Sequence, residues 1–65
     1  MKLTDISDEE LLYIADIINT RTGMLRYINV YDIGDIRANL EELEEALEES
    51  AGLPDVEAWK DAMQQ

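Results

Sequence analysis

Asp32-Ile33-Gly34-Asp35-Ile36-Arg37-Ala38-Asn39-Leu40-Glu41-Glu42-Leu43-Glu44-Glu45-Ala46-Leu47-Glu48-Glu49 decides the fold class of this chain. Ile33, Ile36, Leu40, Leu43 and Leu47 recur at alternating steps of three and four, the apolar seam of a coiled coil or helical hairpin. Only about two heptads are present, so a free-standing coiled coil is not expected. Asp32 or Asp35 can cap the start of this helix. Gly52 fits a left-handed stop, with Leu53 as its hydrophobic contact and Pro54 blocking continuation. Pro54 can instead open a short last helix, Asp55 to about Met63, with Val56, Trp59 and Met63 facing inward.

Upstream, Ser7-Asp8-Glu9-Glu10 reads as a capping box, in which the Ser7 hydroxyl accepts from an amide and Glu10 reaches back. Ile6 and Leu11 stand at the positions of a hydrophobic staple. The first helix is expected to run to Ile18 or Asn19, with Asn19 as its stop. Leu11, Ile14, Ala15 and Ile18 form one face at helical spacing, Leu12 widens it, and Tyr13 and Ile17 fall on the far side. A helix apolar nearly all round is covered on both sides, here by the next segment or by another subunit.

Residues 24–31 are ambiguous in period. Met24, Tyr27, Ile28 and Tyr31 fit a helix, whereas Leu25, Tyr27, Tyr31 and Ile33 fit strand alternation. Their β-branched and aromatic content, after Gly23, favours a short extended segment. Such a segment needs a partner, which Leu3 to Asp5 or a second copy across a two-fold axis could supply. The expected fold is therefore mainly α: one domain, 1–65, of two to three helices with a possible extended segment at 24–31, capable of self-association as a homodimer.

The chain has 65 residues, a formal net charge of −11, and neither cysteine nor histidine. So small a domain is usually stapled by disulfides, a metal or oligomerisation. Disulfides and nitrogen- or sulfur-ligated metals are excluded by composition, leaving a well-packed helical core or an oligomer. No imidazole base, thiolate or Ser-His-Asp constellation can be assembled, so no enzyme and no cofactor are expected. A calcium loop turning at Gly34 would place Tyr31 and Leu40 where oxygen ligands are required. No apolar run is long enough for a membrane span, and the start, Met1-Lys2-Leu3-Thr4-Asp5, lacks a signal-peptide core, which reads as cytoplasmic.

Glu41 to Glu49 holds six glutamates without a counter-charge. Glu41/Glu45, Glu44/Glu48 and Glu45/Glu49 repel across one turn at roughly 0.2–0.5 kcal/mol per pair. Arg37, one turn before Glu41, is the only nearby relief. A solvated face that maintains solubility explains the run. The sharper reading is mimicry of nucleic acid: about one charge per 2 Å of helix axis, against one per ≈ 1.7 Å of duplex. Such a field repels nucleic acid and anionic membrane and attracts basic protein surfaces. Arg21, Arg26 and Arg37 are expected to pair with surrounding carboxylates.

The function expected is that of a non-enzymatic acidic protein-binding module, a small inhibitor or adaptor such as phages, mobile elements and antitoxin systems encode. Its partner-binding candidates are Glu41, Glu44, Glu45, Glu48 and Glu49, with Tyr13 and Ile17 as apolar contacts. A structural or assembly protein is the alternative. A DNA-binding regulator of strand-helix-helix order is disfavoured, because a ribbon at 24–31 would carry only Arg26.

Overall fold

The computed structural model describes residues 2–64. They form a 3-10 turn at Leu3–Asp5 followed by four helices: α1, Asp8–Thr22; α2, Ile33–Ala38; α3, Leu40–Glu49; and α4, Pro54–Met63. The mainly α expectation holds, with one helix more than anticipated and no strand among the described residues.

α1 starts at the expected cap. Ser7 Oγ accepts from the Glu10 amide at 3.3 Å, in extended backbone that already points into the helix. The return half of the box does not form: Glu10 Oε2 instead accepts from Trp59 Nε1 of α4 at 3.1 Å. The helix passes Asn19 and ends a turn later at Gly23, whose φ of 70° is the left-handed conformation that glycine adopts at least cost. Its amide donates to the Asn19 carbonyl at 2.9 Å. Thr22 Oγ1 donates to the Ile18 carbonyl and accepts from the Met24 amide, which satisfies two more groups of the fraying end.

Residues 24–31 are a chain of turns, not the expected extended segment. Ile28 and Asp32 amides donate back three residues to Leu25 and Asn29 carbonyls, at 2.9 and 3.0 Å. Asn29 Oδ1 takes the Tyr31 amide and Asp35 Oδ2 takes the Asn29 amide. These short polar side chains offer the backbone partners that a neighbouring strand would otherwise supply. The proposed strand partner, Leu3 to Asp5, is itself wound into the 3-10 turn. Leu25 and Val30 point into the core, while Tyr27 and Tyr31 are 91% and 78% exposed.

The seam from Ile33 to Leu47 is one apolar stripe on two helices. The chain breaks at Asn39 (φ −127°, ψ 37°), whose Nδ2 donates to the Asp35 carbonyl at 2.8 Å. Asparagine competes in this way with the helix ladder, which accounts for the interruption without a proline. Asp32 caps α2 through the Gly34 amide at 2.9 Å. α3 ends at Ser50 rather than on a left-handed Gly52, since Gly23 is the positive-φ glycine among the described residues. Pro54 opens α4 as expected, with Val56 and Trp59 buried and Met63 packed against the core.

The core joins Leu11, Ile14, Ala15 and Ile18 of α1 to Ile36, Leu43, Leu47, Val56 and Trp59, closed at one end by Leu3 and Ile6 and at the other by Leu25 and Val30. α1 thus finds its cover in the segments that follow it, the first of the two alternatives its broad apolar surface left open.

The two flanking glycines separate backbone strain from packing, because a Cβ at either meets nothing within 4 Å. Gly23→Ala is expected to destabilise the fold by about 1 kcal/mol, the cost of a left-handed alanine. Gly52→Ala should be neutral or stabilising by up to ~1 kcal/mol. Urea midpoints at unchanged slope measure both.

Candidate functional site

α3 turns Leu43, Ala46 and Leu47 inward and leaves Glu41, Glu42, Glu44, Glu45, Glu48 and Glu49 exposed. Glu41, Glu44, Glu45 and Glu48 surround a shallow depression of about 340 Å³ whose lining is entirely carboxylate-bearing. Glu44 and Glu48 also border a second hollow, of about 230 Å³, between Leu3, Leu47 and the α4 residues Lys60 and Gln64. Four of the five expected glutamates therefore converge on one surface. Glu49 is exposed on the same helix but outside that depression.

The expected cations are engaged elsewhere. Arg37 turns from Glu41 and grips the start of α1: its Nε and Nη2 donate to Asp8 Oδ1 at 2.9 and 2.6 Å, and Nη2 also donates to the Ile6 carbonyl. Arg21 pairs with Asp55 at 3.0 Å, tying the end of α1 to the start of α4. Arg26 lies 5.6 Å from the centre of the Tyr27 ring, within cation–π range. Among the described residues, none of the six glutamates forms an ion pair. Lys60 borders the second hollow without closing one.

The break at Asn39 changes the energetics of this face. In one long helix from Ile33, Glu41 and Glu42 would lie at mid-helix, beyond the reach of its favourable start, and Glu48 and Glu49 at the opposing carbonyl end. With α3 starting at Leu40, Glu41 and Glu42 occupy its first turn, where negative charge is favoured by roughly 0.3–1 kcal/mol each. Glu48 and Glu49 remain at the unfavourable end. Uncompensated repulsion is thus concentrated in the C-terminal half, around Glu45.

Tyr13 and Ile17 do not join the glutamates. Tyr13, 58% exposed, lines a separate groove between α1 and α4 with Glu10, Ala58, Trp59 and Ala62. Ile17, one turn later, is half-buried. Two long-range contacts had no local sequence signal: Trp59 of α4 to Glu10 of α1, and Tyr31 Oη of the turn segment donating to Asp16 Oδ1 of α1 at 3.1 Å. The hydrogen bond to Asp16, and then its negative charge, raise the Tyr31 phenol above its ordinary pKa, since a phenolate there would lose the bond and face a carboxylate. Ser7 is occupied as a helix cap, and the described residues contain no group of three or more carboxylates placed to hold a metal. No helix is long and apolar enough to cross a membrane.

Glu45 is repelled by both Glu41 and Glu49, so Glu45→Lys converts two repulsive one-turn pairs into attractive ones. It should raise stability by about 1 kcal/mol at low ionic strength, with the gain shrinking in high salt. Thermal or urea unfolding at two salt concentrations measures this. No protein-family model, no curated protein and no solved structure matches the chain, so its own residues alone bear on what this surface does.

Proposed function

We propose that the protein is a non-enzymatic binding module, a small inhibitor or adaptor, whose α3 face meets a basic surface of another protein. The observation that carries this reading is the division of charge. Two of the three arginines are spent pinning helices together through Asp8 and Asp55, while the densest run of carboxylates has no ion pair among the described residues. Interspersed charges of both signs already suffice for solubility, so a face of one sign is more than that purpose requires. A partner with lysines or arginines spaced for duplex phosphates fits the charge density of α3. Small inhibitors encoded by phages or mobile elements, and antitoxins, are proteins of this general kind.

Direct nucleic-acid binding is the weaker reading, because Arg21 and Arg37 are bonded to carboxylates and the net charge of −11 repels phosphates. An assembly role draws on the exposed Tyr27 and Tyr31, and open-ended growth in sedimentation across a concentration series would favour it over a discrete species.

The test is affinity capture from lysate of the native host, at low and high salt, with wild type and with Glu44, Glu45, Glu48 and Glu49 all changed to lysine. The expected outcome is a basic nucleic-acid-binding protein retained by wild type, released by salt, displaced by duplex DNA, and lost in the variant. A partner held equally well by the lysine variant would refute the reading.

A further inference from the structure

The groove between α1 and α4 shares no residue with either glutamate-lined hollow. It encloses about 260 Å³. Ala58 and Ala62, both exposed and four apart, lie one turn from each other on α4. Side chains this small leave room for the knobs of another helix to approach the α4 backbone closely. Tyr13 forms the α1 wall, and its half-exposed ring is an aromatic anchor of the kind that dominates protein interfaces. Beneath lies Trp59, almost wholly buried, with its indole N–H bonded to Glu10 across the two walls. The Arg21–Asp55 pair joins the same two helices at one end of the groove. Held at both points, the groove is formed before anything enters it, which lowers the ordering cost of binding.

We propose that this groove docks a basic amphipathic helix of another protein. The apolar part of the surface accepts the apolar stripe of such a helix, as in other helix-in-groove complexes. The sign of the charge comes from Glu10 on the rim, since Asp55 is paired with Arg21, and from the −11 of the whole chain. A partner helix carrying lysine or arginine beside its apolar stripe is complementary in both respects. A second copy of this chain has the wrong sign and is repelled. The inference does not rest on the role assigned to α3.

Trp59 is the only tryptophan and lines the groove, and the variant with lysine at 44, 45, 48 and 49 separates its response from binding at the glutamate face. The probe is a synthetic amphipathic helix of leucine and lysine lacking tryptophan, titrated into the intact protein. A saturable change in Trp59 emission is expected with wild type and with the variant carrying lysine at 44, 45, 48 and 49. The double variant Ala58→Glu, Ala62→Glu fills the groove yet adds negative charge, so plain electrostatic attraction would strengthen while docking weakens. Its affinity should fall about tenfold, and Tyr13→Ala should weaken binding in the same direction. Unchanged emission in wild type, or undiminished affinity in the double variant, would overturn the proposal. So would a wild-type dimer that the double variant abolishes, because the occupant would then be a second copy.

Discussion

Leu11, Ile14, Ala15 and Ile18, all on one side of α1 and none measurably exposed, are the ridge on which every other helix is laid. Each large aliphatic side chain buried this completely contributes roughly 1.5–3 kcal/mol, in a chain with no disulfide to share the burden. α2, α3 and α4 all pack against this ridge, and the segments joining them add Leu25 and Val30 to the same core. Because α1 is covered from three directions, a surface too apolar for a single amphipathic stripe is accommodated within one small domain.

With the core closed by α1, charge governs what remains. Arg37 and Arg21 each bridge α1 to a later helix, and both pairs are exposed, so their energetic worth is modest and screened by salt. Their larger consequence is positional. Arg37 is held by Asp8 and the Ile6 carbonyl, which withholds it from Glu41 and leaves the α3 face of a single sign. The break at Asn39 acts on the same face from the other direction, giving Glu41 and Glu42 a helix start to lie against. The helix start offsets part of the repulsion that the loss of Arg37 leaves unrelieved.

Features decided within a few residues were legible in the sequence. The Ser7 cap, the Pro54 start and the inward stripe of α3 each depend on neighbours one turn away, and each lies where spacing and residue type place it. The turn segment was misread because residues 24–31 satisfy both periods, and the deciding hydrogen bonds come from Asn29 and Asp35 side chains. The Asn39 break had a local signal, an asparagine inside a helical pattern, that the unbroken apolar seam outweighed. Arg37 could not be assigned locally at all, since Asp8 is 29 positions away and Glu41 only one turn. The same distance problem hid the bond between Glu10 and Trp59, which redirected half of an otherwise readable capping box.

α4 occupies a particular place in this arrangement, because it walls both the hollow beside the glutamates and the groove beside Tyr13. Lys60 and Gln64 face the first, Ala58 and Ala62 the second, while Val56 and Trp59 between them are buried. It is held by the buried Val56 and Trp59, by Met63 against the core, by the ion pair to Arg21 and by the bond to Glu10. A ligand on either flank that requires α4 to shift must disturb the other flank as well. Any such coupling acts equally in both directions, since the free energy linking two sites is a property of the pair. The proposed surfaces are therefore mechanically connected through one short helix, although no side chain belongs to both.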